Sequence, residues 1–165
     1  LKDLTISYGQ KYYSTPVGEM NVVKKMKEVK SIVGGEGGGG IIYPELHYGR
    51  DALVGIALFL SLLVEKKCKV SELKSQYSEY FMKKRKITLK DSKLIEKSFK
   101  VIAENYSKLS PNTDDGVRID FEDAWVHMRK SNTEPIIRIF AEANSQDLAN
   151  RYALKIEKEI KSISD

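Results

Sequence analysis

Apolar positions follow a strand-like and helix-like alternation through the first half of this chain and take up another rhythm after residue 78. Lys11-Tyr-Tyr-Ser-Thr-Pro-Val17 predicts a strand, stopped by Gly18. From Glu19 to Val29 the spacing is helical, with Met20, Val23, Met26 and Val22 on the inward face. Ser31-Ile-Val33 predicts a short strand that runs into Gly34–Gly40, and Ile41-Ile-Tyr43 resumes the extended chain up to Pro44. A loop through 45–49 leads to Asp51, whose carboxylate suits the first turn of a helix. That helix carries the apolar stretch Ala52–Val64, too short for the ~20 residues that span a bilayer. It is therefore expected to be buried on most sides. Val70–Tyr77 predicts a short helix.

The second half predicts a charged strand over Tyr80–Leu89 and an amphipathic helix over Asp91–Tyr106, with Leu94, Ile95, Phe99, Ile102 and Ala103 on one face. Asn112–Gly116 is a turn cluster. Strands follow over Val117–Phe121, Ala124–Arg129 and Pro135–Ala143, and then a closing helix over Gln146–Ile160. The order β-α-β-β-β-α implies a small antiparallel domain. The expected architecture is an α/β partial domain (mixed sheet with helices) over residues 1–77. A small α+β domain, with an antiparallel sheet and two helices, follows over 78–165.

Composition narrows the chemistry only a little. A chain of 165 residues with 41% hydrophobic content suits folded domains and excludes bulk disorder. The single cysteine, Cys68, rules out an internal disulfide and fits a reducing compartment. Leu1 is not an initiator methionine, which predicts a piece cut or processed from a longer polypeptide. A net charge of +5 attracts anions without naming one.

Two segments carry candidate chemistry. Arg129-Lys-Ser-Asn-Thr-Glu-Pro135 sets an arginine, two hydroxyls and an amide at a chain reversal, the donors a phosphate monoester needs. Ser131 and Glu134 also fit a helix capping box, but the β-branched residues after Pro135 favour a strand. Gly34–Gly40 surrounds Glu36 with six glycines. A flexible linker would have this composition. Close apolar flanks argue instead for a binding loop, where a carboxylate accepts from vicinal sugar hydroxyls and glycines let the ligand approach the backbone. Lys83-Lys-Arg-Lys86 reads better as a solvated edge strand than as a nucleic-acid patch. Neither His47 nor His127 has a second His or Cys nearby at metal-ligand spacing.

Four motifs in order, Thr15-Pro-Val-Gly18, Gly34–Gly39 around Glu36, Asp115-Gly-Val-Arg118 and Arg129–Pro135, resemble the α-D-phosphohexomutases, the phosphoglucomutases and phosphomannomutases. The resemblance implies that residues 1–77 are the C-terminal part of a sugar-binding domain 3 and residues 78–165 a phosphate-binding domain 4. Glu36 and Gly38 would then meet the hexose, and Arg129, Ser131, Asn132 and Thr133 the phosphate that is not transferred. The family reaction interconverts hexose 1-phosphate and hexose 6-phosphate through a hexose 1,6-bisphosphate, using a phosphoserine and Mg2+. Neither the serine loop nor the metal loop occurs in this sequence, so the chain alone is expected to be inactive and to need the N-terminal domains of its polypeptide. The implied partner is a phosphosugar in the cytoplasm, with no membrane. Many members carry Ser or Asn where Gly38 stands, some carry His where Gly40 stands, and Glu19 sits where some have a histidine that reaches the substrate. Phosphoglucosamine mutase, or a non-catalytic anion or nucleic-acid binding module, are the alternative readings.

Overall fold

The computed structural model describes residues 1–89, 92–131 and 134–164. The chain divides into two compact units, Leu1–Tyr77 and Ser78–Asp165.

In the first unit, α1 (Lys2–Ser7) leads into residues 10–16, which have no regular structure, and then α2 (Glu19–Val29). The strand expected over Lys11–Val17 does not form, and among the described residues neither sheet includes it. Helix α2 buries Val23 and Met26 against Ile42, with Val22 partly covered, as its spacing requires. Met20, in the first turn of the helix, lies 78% exposed.

Strands β1 (Gly34–Glu36), β2 (Gly40–Tyr43) and β3 (His47–Arg50) pair antiparallel in the order β1-β2-β3. Here the pattern misled twice. Ile32 and Val33 stay exposed, and the pairing begins inside the glycine run. The reason is steric: a Cβ on Gly34 would collide with the Met26 side chain, and one on Gly35 with the Gly40 carbonyl. The stretch read as a loop over 45–49 supplies β3.

Helix α3 (Ala52–Lys66) starts where Asp51 accepts the Val54 N–H at 2.9 Å. Contrary to expectation, none of its residues is buried. Leu53, Ile56, Leu60 and Val64, a stripe at helical spacing, are the most exposed of its large apolar side chains. Helix α4 (Val70–Ser75) closes the unit with Leu73 buried.

The second unit is a four-stranded antiparallel sheet in the order β4-β7-β6-β5, with two helices. Its elements are β4 (Phe81–Thr88), α5 (Ser92–Asn105), β5 (Val117–Asp120), β6 (Ala124–Lys130), β7 (Ile136–Ala143) and α6 (Gln146–Ser164). One sheet face meets the helices, packing Ile87, Ile119, Met128 and Ile139 with Ile95 and Ile102 of α5 and Ile156 and Ile160 of α6. Fourteen described residues are buried in this cluster, against three in the main cluster of the first unit. Each large aliphatic side chain buried contributes about 1.5–3 kcal/mol. The second unit therefore carries most of the chain's hydrophobic stabilisation. Glu157 of α6 accepts from both Arg85 and Lys161 at its edge.

Candidate functional site

Glu36 ends β1, opposite Gly40, and residues 37–39 turn the hairpin. The Gly39 N–H donates to the Glu36 carbonyl at 3.0 Å, and Gly39 has φ +92°, a conformation that suits glycine. Beyond the tip the space is open. A side chain on Gly37 or Gly38 would touch nothing within 4 Å, so a ligand can reach the main chain there.

The Glu36 carboxylate is held from two sides. Gly18, at φ 123°, donates its N–H to Oε1 at 3.1 Å, and Arg50 Nη1 donates to Oε2 at 3.3 Å. The same guanidinium donates through Nε to Glu19 Oε2 at 2.8 Å, and the Arg50 N–H donates to Glu19 Oε1 at 3.3 Å. One arginine thus spans two carboxylates, leaving this trio with a net negative charge. A carboxylate offers about four acceptor sites, so each Glu36 oxygen keeps capacity for another donor. Sequence reasoning found Glu36 and the Gly18 motif but not Arg50. The Arg50 stem lies over Gly40, where a Cβ would block it, and this packing was the signal in the glycine run. His47 is engaged with Asp51 at 3.1 Å. The Val54 N–H, and then His47, hold the Asp51 carboxyl below its ordinary range.

In the second unit, Arg129 near the end of β6 stands opposite Arg138 of β7. Its guanidinium carbon lies 5.5 Å from the Phe140 ring centre. Ser131 is buried, donates its N–H to the Ile136 carbonyl at 3.0 Å, and accepts from Arg138 Nη2 at 3.3 Å. Glu134 lies 3.9 Å from the same Arg138 nitrogen. The segment is a β6–β7 connection, which excludes the helix-cap reading. Asn132 and Thr133 lie outside the described residues. Arg138, absent from the predicted site, was hidden within a run that read simply as strand.

The Asp115–Arg118 motif has a structural part here. Gly116 has φ +77°, and a Cβ on it would run into the Met128 carbonyl. The turn therefore presses directly on β6, beside Arg129. Arg118 pairs with Asp120 and stacks over Trp125, its guanidinium carbon 4.4 Å from the ring centre. The Lys83–Lys86 run divides between the sheet faces by strand alternation: Arg85 pairs with Glu157 of α6, whereas Lys84 lies over Phe140.

Among the described residues no group of three His, Cys, Asp or Glu side chains could hold a metal, and no helix is long and apolar enough to cross a membrane.

Residues 1–80 match the family profile described as phosphoglucomutase/phosphomannomutase, alpha/beta/alpha domain III, and residues 65–159 match that of the C-terminal domain. The chain belongs to the phosphoglucomutase/phosphomannomutase family. It is 38% identical, over 87% of its length, to a phosphoglucosamine/phosphogalactosamine mutase of Sulfurisphaera tokodaii, of which it covers 32%. It is 36% identical, over 92% of its length, to a phosphoglucomutase/phosphomannomutase of Thermococcus kodakarensis, of which it covers 33%. The chain thus spans about a third of the length of these relatives. A phosphoglucomutase/phosphomannomutase family protein of Burkholderia thailandensis has the same fold, with a TM-score of 0.78 at 23% identity over 98% of this chain and 34% of that one. The N-acetylphosphoglucosamine mutase of Aspergillus fumigatus, solved with GlcNAc-6P and magnesium, gives 0.66 at 13% identity over 99% of this chain and 36% of that one. A serine-to-alanine variant of that enzyme, solved with glucose 1,6-bisphosphate, gives 0.64 at 13% identity over 98% and 36%.

Proposed function

We propose that this chain is the substrate-holding part of a mutase that moves a phosphoryl group between O1 and O6 of a hexose. In this reading residues 1–77 belong to the sugar-binding domain and residues 78–165 are the phosphate-binding domain. The observation that carries it is the Glu36 carboxylate, fixed by Gly18 and Arg50 beside glycine positions open to a ligand. Glu36 accepts from hexose hydroxyls, and the open surface at Gly38 admits the ring. Arg129 and Ser131, with Asn132 and Thr133, grip the phosphate that stays on the sugar. Phosphoryl transfer depends on positioning and charge stabilisation, so a clamp remote from the reacting end contributes by fixing it.

The chemistry itself lies with a serine loop and a magnesium loop that this sequence does not contain. The chain alone is accordingly inactive, and the remaining domains of a cytoplasmic polypeptide complete the enzyme. The substrate is a hexose phosphate or the corresponding amino sugar phosphate. The second choice draws on the likeness to the Sulfurisphaera tokodaii mutase.

A backbone-amide NMR titration with glucose 1,6-bisphosphate, inorganic phosphate and a short RNA tests this reading. Saturable shifts around Arg129–Pro135, stronger for the sugar phosphate than for either control, are expected. Shifts driven best by RNA over Lys83–Lys86 would replace the mutase reading with a nucleic-acid module.

A further inference from the structure

We infer that the sheet of the second unit carries a second phosphate subsite, centred on Lys86, which takes the other phosphoryl group of a bisphosphorylated hexose held at Arg129. The inference rests on the phosphate-clamp reading of Arg129. It starts from strand register. Lys86 of β4 stands directly opposite Arg138 of β7, and Arg138 stands directly opposite Arg129 of β6. Three cations therefore share one row across three adjacent strands.

Like charges directly opposite one another destabilise a sheet, so such a row calls for a counter-charge. Among the described residues its acidic partner is Glu134, 3.9 Å from Arg138, while Lys86 and Arg129 have no carboxylate within salt-bridge distance. Lysine on an edge strand commonly blocks unwanted pairing. That explains a lysine on β4, but not arginines on β6 and β7, which are inner strands.

Beside Lys86 and Arg138 lies an open groove of about 500 Å³, lined by Lys84, Arg85, Lys86, Glu134, Ile136, Arg138 and Phe140, and Arg129 reaches its margin over the Phe140 ring. Phe140 lies between two cations, with Arg129 at 5.5 Å and Lys84 at 5.9 Å from its ring centre. The aromatic ring offers an apolar floor between charged walls, a form that suits a sugar ring bearing phosphates. Neighbouring strands are roughly 4.8 Å apart, so Arg129 and Lys86 stand about 10 Å apart at the backbone. The flexible lysine stem adapts that span to a ligand. Gripped at both phosphates, the bisphosphorylated sugar would be retained on this unit.

Calorimetric titration of the 165-residue chain with glucose 1,6-bisphosphate and with glucose 6-phosphate tests the subsite. The bisphosphate should bind about tenfold more tightly than the monophosphate, the scale of one added charge-assisted contact. Lys86→Ala should bring the bisphosphate down to the monophosphate level and leave the monophosphate unchanged. Lys83→Ala, an equal charge loss on the other sheet face, should change neither. Equal affinities in the unaltered chain, equal losses in the two variants, or loss of the monophosphate in Lys86→Ala would each overturn the second subsite while leaving the clamp. Failure of both sugar phosphates to bind would overturn the clamp, and the second subsite with it.

Discussion

The main-chain N–H of Gly18 donates to the Glu36 carboxylate at 3.1 Å, joining two motifs eighteen residues apart. Arg50 completes the grip at 3.3 Å from the other oxygen. Both donors fix the carboxylate without saturating it, and under the proposed function this holds Glu36 ready to accept from a sugar hydroxyl.

Glu36→Gln in the complete enzyme should therefore weaken hexose phosphate binding by about tenfold, the worth of one charge-assisted hydrogen bond, and leave inorganic phosphate binding unchanged. Isothermal titration with both ligands separates the two effects. Equal losses would remove Glu36 from the sugar site.

Arg129→Ala should lose roughly 2–4 kcal/mol of phosphosugar binding, the scale for truncating one partner of a buried charged pair. Unchanged affinity in that variant would refute the clamp. Circular dichroism should remain that of the unaltered chain, since Arg129 makes no ion pair within the described sheet.

Gly116→Ala should lower stability by about 2 kcal/mol or more. The left-handed backbone strains any Cβ-bearing residue, and this Cβ also meets the Met128 carbonyl. Trp125, the only tryptophan, lies on β6 and reports urea unfolding of the second unit by fluorescence. A midpoint equal to that of the unaltered chain would contradict the close approach of this turn to β6.

Acid should weaken the second unit through Glu157. Lys161 first, and then Arg85, hold its carboxyl below the ordinary range. A carboxyl depressed on folding stabilises the fold fully above its unfolded pKa and loses that contribution as pH falls through the folded value. Urea midpoints followed through Trp125 should therefore fall from about pH 4.3, the ordinary glutamate value, downward. Glu157→Gln should begin less stable at neutral pH and lose less on acidification. Parallel pH profiles would show that another group governs the loss.

The exposed stripe Leu53–Ile56–Leu60–Val64 on α3 should make the chain associate as its concentration rises. Leu53→Glu combined with Leu60→Glu should reduce that association in sedimentation velocity while retaining helix content. Unaltered association would locate the adhesive surface elsewhere.

Local periodicity made much of this protein legible. The spacing of Val23 and Met26 identified α2, because side-chain direction follows backbone period, and the β-branched residues after Pro135 identified the strand β7. Glu36 and Arg129 stood out because unusual neighbours surround them. Distance along the chain concealed the rest. The reach of Arg50 from β3 to Glu19 and Glu36, and the alignment of Lys86, Arg138 and Arg129, arise from strand pairing. Burial followed the same division: Ala52–Val64 announced an apolar helix, but its exposure depends on what packs beside it. Covalent order controls short-range conformation, whereas charge meeting charge across strands requires a register that forms only when the whole sheet assembles.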